Sequence, residues 1–302
     1  MLSLSNTKYN NKLYTRNKKM NAKLYIVASP IGNLSDISLR ALEILKKSDL
    51  ILCEDTRHTR KLLNHHNIAP KKIISIHQHN EKVKSNDVLQ LIKEVGMAAY
   101  LSDAGTPCIS DPGMYLVQNA RNENIEVLAI PGACAAISAF SISGITNGRF
   151  TFYGFLPTKL KALEETFIEI KKEKYPVILY ESPKKLIKLL KAIVNYLGEE
   201  KKLFISREMT KLYETSYSDS AKNLLFFFTQ NENFLKGEFV VIIQNQELIF
   251  DEQENHMPDM INFMKLLLSE NLPLKQIVKI TSSLYLKNKK DIYNLGLKLK
   301  NE

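Results

Sequence analysis

Two neighbouring carboxylates and a guanidinium are costly to leave without partners. Cys53-Glu54-Asp55-Thr56-Arg57 sets such a group at the end of an apolar run. Ligand or acid–base work is one reading. An ion pair of Asp55 with Arg57 or Arg60 plus a helix cap is the other. A second dense stretch is Ser102-Asp103-Ala104-Gly105-Thr106-Pro107-Cys108-Ile109-Ser110-Asp111-Pro112-Gly113. Asp103 there reads as a ligand contact. Asp111, in a Pro-Gly turn just before a helix, reads as that helix's cap. A third, Ala28-Ser29-Pro30-Ile31-Gly32-Asn33, is neither a G-x-G-x-x-G fingerprint nor a phosphate-binding loop with Gly-Lys-Ser/Thr. The ligand is therefore expected to be neither a dinucleotide nor a triphosphate. His58, His65, His66, His77 and His79 cluster along the chain without metal-ligand spacing, and no metal is expected.

Alternating elements must hold these loops. Strands are expected over 24–28, 50–53, 73–76, 98–101 and 127–130. Helices are expected over 37–47 (capped by Asp36), 56–66, 83–95, 114–121 and 133–141. This repetition argues for a mostly parallel sheet with helices on both faces, and such a sheet gathers ligand loops at its strands' carboxyl ends. Glycines and a proline at 144–157 mark a boundary. A second α/β unit follows, with strands over 151–155, 177–180, 203–206, 213–218 and 238–244 and helices over 160–172, 184–197 and 221–230. The expected organisation is a flexible basic extension (1–22), a first α/β domain (23–145), a second (146–246), an acidic linker (246–256) and a small helical segment (257–302).

The 302 residues suit two domains, and 44% hydrophobic content excludes wholesale disorder. No apolar run approaches the roughly 20 residues that cross a bilayer. Three scattered cysteines argue against a disulfide scaffold and for a reducing compartment, hence the cytoplasm. The net charge of +10 divides into +6 over 1–23, +1 over 24–150, −2 over 151–271 and +5 over 272–302. A polyanionic partner met mainly by the two ends is one reading, and solvated lysine-rich tails the other.

Ser-Pro-Ile-Gly-Asn-Leu-Ser-Asp-Ile (29–37), Cys-Glu-Asp-Thr-Arg (53–57), Ser-Asp-Ala-Gly-Thr-Pro (102–107) and Ser-Asp-Pro-Gly (110–113) together resemble one family. Pro-Gly-Ala-Cys-Ala-Ala (131–136), Gly-Phe-Leu-Pro (154–157), Tyr-Glu-Ser-Pro (180–183), Arg-Glu-Met-Thr-Lys (207–211) and Leu-Pro-Leu-Lys-Gln (272–276) extend the likeness to the C-terminal segment. The family is that of the 16S rRNA cytidine 2′-O-methyltransferases, within the tetrapyrrole-methylase superfamily. The resemblance implies a two-domain α/β fold with a C-terminal helical appendage. It also implies S-adenosylmethionine in the interdomain cleft, a homodimer, and ribose methylation at the decoding centre of the small ribosomal subunit. Carried over by motif position, Pro30, Ile31, Gly32, Asp103, Ala104, Gly105 and Thr106 hold the cofactor, with Ala133, Cys134 and Ala135 lining the same pocket.

A ribose hydroxyl is a poor nucleophile, so a base is expected from Glu54, Asp55, Glu181 or Glu208, with Arg57 and Arg207 pinning phosphate or carboxylate groups. Lys275, Lys279, Lys287, Lys289 and Lys290, interleaved with Tyr285 and Tyr293, suit contact with an rRNA backbone. The rival readings are a methyltransferase of the same fold acting on a tetrapyrrole or another small molecule, and a non-catalytic RNA-binding factor.

Overall fold

The computed structural model describes residues 22–146, 148–245, 257–270, 272–285 and 287–301. The expected basic extension, but for Ala22, and the expected acidic linker lie outside them.

The first half runs β1 (Lys23–Val27), α1 (Leu39–Lys47), β2 (Leu50–Cys53), α2 (Thr56–His65), β3 (Ile73–Ser75), α3 (Glu81–Val95), β4 (Met97–Leu101), α4 (Met114–Asn122), β5 (Glu126–Ile130) and α5 (Ala135–Ile142). The strands form one parallel sheet in the order β3-β2-β4-β1-β5. Leu50-Ile51-Leu52-Cys53 is apolar throughout because this strand is covered on both faces. Its side chains alternate between two cores. Leu50, Leu52, Ala98 and Tyr100 pack with α3 and α4, whereas Ile51, Ala99 and Leu101 pack with α1 and α2.

The second half runs β6 (Thr151–Phe155), α6 (Leu160–Lys172), β7 (Val177–Glu181), α7 (Pro183–Leu197), β8 (Lys202–Arg207), β9 (Thr215–Ser220), α8 (Ala221–Gln230) and β10 (Phe239–Ile243). Its sheet order is β6-β7-β10-β8-β9, and only β6 and β7 pair in parallel. Helices α6 to α8 cover one face. Ile178, Phe204, Val240 and Ile242 on the other face receive Ala136 and Ala139 of α5, a helix of the first half. This small-residue helix joins the two sheets. Three further helices, α9 (Met257–Ser269), α10 (Leu274–Tyr285) and α11 (Lys289–Asn301), pack on their own core of Met260, Met264, Ile277, Val278 and Ile292.

Two caps differ from expectation. Asp36 does not start α1. It ends a 3-10 turn, and Ser38 accepts from the Ala41 backbone N–H at 3.1 Å instead. Asp111 does not cap α4. The cap position is Gly113, which has no side chain, and the buried Glu81 carboxyl of α3 accepts the Leu116 backbone N–H at 2.8 Å. A helix start needs its exposed N–H groups satisfied, and here the acceptor comes from a neighbouring helix rather than the adjoining loop. Glu81→Ala leaves that amide buried without a partner. It is expected to cost about 1–3 kcal/mol of stability, readable as a lowered urea midpoint.

Candidate active site

The carboxyl ends of β1, β4 and β5 face the end of β7 and the start of β10. Antiparallel pairing sets Phe239 opposite Glu181 and Val240 opposite Tyr180. A cleft of about 320 Å³ lies between the halves, a volume within the range of small-molecule sites. Ile31, Ala104, Gly105, Thr106, Cys134 and Ala135 line it from the first half, and Phe155, Tyr180, Glu181, Met209, Glu238 and Val240 from the second.

The first-half wall is built largely of backbone. Ser29 N–H donates to the Gly105 carbonyl at 2.8 Å, and Gly105 N–H returns a bond to Ser29 at 3.0 Å. Gly105 sits at φ +78°, where only glycine is unstrained. Thr106 Oγ1 donates to the Ala133 carbonyl at 3.0 Å, tying this loop to the one after β5. On the second-half side, the Tyr180 hydroxyl accepts the Ala136 N–H at 3.0 Å. Burial holds that phenol protonated.

Asp111 also lines the cleft. The loop that carries it twists through left-handed backbone at Cys108 (φ 71°), Ser110 (φ 62°) and Gly113 (φ 121°). Non-glycine residues rarely hold such angles, and in folded proteins they gather at functional sites. Burial pushes the Asp111 acid up to about 7, with Glu54 and Asp103 adding to the rise and a hydrogen bond to Ser102 opposing it.

The expected cofactor residues divide into two groups. Ile31, Ala104, Gly105, Thr106, Cys134 and Ala135 reach the cleft, while Pro30, Gly32, Asp103 and Ala133 each adjoin one of them in the chain. Asp103 is engaged elsewhere, accepting Asp55 N–H at 3.0 Å and facing His58 Nδ1 at 3.1 Å.

Of the expected bases only Glu181 lines the cleft. Glu54 is half-buried at the end of β2, its acid raised by burial and by Asp103. Asp55 caps α2 through Arg57 N–H at 2.8 Å and pairs with the Arg57 guanidinium at 2.7 Å, which holds it near 2. Glu208 bonds Lys211 at 2.8 Å and the Glu238 N–H at 3.0 Å. Arg207 is buried and donates to the carbonyls of Lys236 and Tyr213, at 2.8 and 3.3 Å. These two residues fasten the loop after β8. Tyr180 and Glu238 escaped the sequence reading. The Tyr-Glu-Ser-Pro run at a strand end was the available signal for the first.

The acids and the missing cations decide what fits. Asp111, Glu181 and Glu238 line the cleft, Glu238 is paired with Lys211 at 3.0 Å, and no Lys, Arg or His lines the cleft itself among the described residues. An acid-lined, partly apolar pocket favours a cationic ligand and repels a polyphosphate.

Comparison with known proteins agrees. Residues 23–225 match the family model of the tetrapyrrole (corrin/porphyrin) methylases. A ribosomal RNA small subunit methyltransferase I from Haemophilus influenzae is 42% identical over 91% of this chain and 96% of its own length. The protein of that name from Escherichia coli O157:H7 is 40% identical over 91% and 94%. The fold resembles a cobalamin biosynthetic enzyme, cobalt precorrin-4 methyltransferase, at TM-score 0.56 and 17% identity, covering 76% of this chain and 98% of that one. The uroporphyrin-III-C-methyltransferase of Thermus thermophilus superposes at TM-score 0.51 with 17% identity, over 73% and 94%. No helix among the described residues is long and apolar enough to cross a membrane. The chain belongs to the ribosomal RNA small subunit methyltransferase I family, within the tetrapyrrole methylases.

Proposed function

We propose that this enzyme transfers a methyl group from S-adenosylmethionine to the 2′-hydroxyl of a cytidine in 16S rRNA, at the decoding centre of the small subunit. It does so as a cytoplasmic homodimer. The observation that carries the cofactor assignment is the cleft lining, where among the described residues Asp111 and Glu181 have no cationic partner, Glu238 is paired with Lys211, and no cationic side chain lines the cleft. S-adenosylmethionine bears a sulfonium and an ammonium, and it supplies an electrophilic methyl when bound. Small residues at 104, 105 and 135 let backbone approach the adenosine closely, with Pro30, Ile31, Gly32, Asp103, Thr106, Ala133 and Cys134 shaping the same wall.

Glu181 accepts Ser182 N–H at 2.7 Å and faces Ser182 Oγ at 3.2 Å. With one carboxylate oxygen taken up by these donors, Glu181 orients and balances positive charge. Asp111 is the proton acceptor. Its half-buried carboxyl is pushed up to about 7, close to working pH, where a general base is most effective. Arg207 and Glu208 position the loop that carries Met209 into the cleft. On the C-terminal helices, Lys275, Lys279, Lys289 and Lys290 are exposed and Lys287 partly so, available to the rRNA backbone.

Mass spectrometry of rRNA nucleosides from a strain lacking the gene tests the assignment. One ribose-methylated cytidine is expected to vanish and to return on complementation. An unchanged nucleoside profile with accumulation of an unmethylated tetrapyrrole would transfer the activity to a small molecule.

A further inference from the structure

An acid-lined cleft cannot hold the phosphates on either side of a target ribose, so cations elsewhere must hold them. The near-neutral body of the chain hides a local excess. Residues 56–80 contain Arg57, Arg60, Lys61, Lys71, Lys72 and five histidines, with no Asp or Glu. The structure gathers much of this on α2 and the approach to β3, an edge strand.

Helix α2 turns Thr59, Leu62 and Leu63 into the core. Its helical period therefore sends Arg57, Arg60 and Lys61 outward, and all three are exposed. Arg57 is engaged by Asp55 and Lys71 by Asp49. Arg60, Lys61 and Lys72 have no carboxylate partner among the described residues. Arg60 and Lys61 lie on α2, which starts at the cleft end of the sheet, and Lys72 lies at the sheet's amino end, so the charges run away from the cleft. Such unneutralised charge is a standing field for a polyanion.

The face is anchored beside the cleft. The first turn of α2 hangs on Asp103 through Asp55 N–H and His58, and the next residue, Ala104, lines the cleft.

We propose that Arg60 and Lys61 on the outward face of α2, with Lys72 beyond the helix's far end, grip the sugar–phosphate backbone of the rRNA strand whose ribose enters the cleft. This rests on the rRNA reading above and adds a binding surface distinct from the C-terminal lysines. These cations contribute electrostatics and register, not sequence readout.

The test uses the full-length enzyme and small ribosomal subunits purified from a strain lacking the gene. In Arg60→Ala/Lys61→Ala/Lys72→Ala, three counterion-releasing contacts are removed. The slope of log affinity against log salt is expected to flatten by about 2, at roughly 0.7 per charge for single-stranded RNA. The KM for subunits rises on the order of tenfold or more near 0.15 M salt. S-adenosylmethionine affinity by calorimetry and the circular dichroism melt stay as in the wild type.

Unchanged slope and KM in a folded variant overturn the proposal and leave the rRNA reading standing. Wild-type enzyme that neither binds nor methylates the subunits overturns both. If wild-type enzyme binds anionic vesicles, loses that binding in the variant and keeps its rRNA affinity, the face belongs to a lipid surface and the proposal fails.

Discussion

Asp111→Asn is expected to lower kcat by roughly 10²- to 10⁴-fold, the usual worth of a positioned general base. The affinity for S-adenosylmethionine should stay within a few-fold near pH 7, because Asp111 is then partly protonated, Glu181 remains to balance the cation, and asparagine keeps the shape and the polar edge. The pH profile separates this from a loss of packing. A base works deprotonated, so wild-type kcat/KM climbs with pH through about 7 and levels above it. In the variant that step disappears.

Stability gives an independent readout with the opposite sign. The folded-state acid is raised from 3.8 to about 7, so folding favours the protonated form. The stabilisation is complete below the unfolded value near 4 and is lost as pH rises through about 7. The variant, which cannot ionise, should therefore melt above the wild type at pH 8, with the gap closing towards pH 4. Retained turnover together with an unaltered pH profile would remove Asp111 from the proton path. It would leave Glu181 as the cleft carboxylate nearest in role.

The second large effect is structural. Gly113→Ala should cost about 2–6 kcal/mol, combining roughly 1–3 for the backbone angle with 1–3 for overpacking. Gly113 stands at φ +121°, and a Cβ there would lie 2.5 Å from Tyr100 Cε1 and 3.0 Å from Cys108 Sγ. Tyr100 is fully buried on the central strand β4 and cannot swing aside. Total stabilities run at about 5–15 kcal/mol, so the loss is a large share, and a melting temperature lowered on the order of 10 °C is expected. Gly144→Ala is the control. Gly144 also has positive φ (+73°) but nothing within 4 Å of an added Cβ. Equal losses at the two sites would mean that the Tyr100 ring yields.

Local pattern carried far in the sequence. Thr151–Phe155, Leu160–Lys172 and Ala221–Gln230 were bounded to the residue, because their periodicity ends at clear breakers. The strand expected over 213–218 is displaced to Thr215–Ser220, since Arg207 and Glu208 hold the preceding residues in a loop. Pairing direction was not legible. Phe239–Ile243 reads as a buried strand, but nothing local says that it runs against both β7 and β8.

The site followed the same division. Ile31 and Ala104–Thr106 were marked by likeness to the family's motifs, whereas Glu238 enters only through that antiparallel pairing. Asp111 was misjudged for a reason outside its own loop. Glu81, thirty residues earlier, already serves the helix that Asp111 adjoins.

The strand order also bears on how the chain is made. β1 lies between β4 and β5, so its partners begin at Met97 and Glu126, far down the chain from Lys23. At about 5–20 residues per second of synthesis, this apolar strand waits on the order of 5–20 s before its second neighbour emerges. In that interval a nascent chain exposes a sticky segment, and holding chaperones at the tunnel exit have their natural target there.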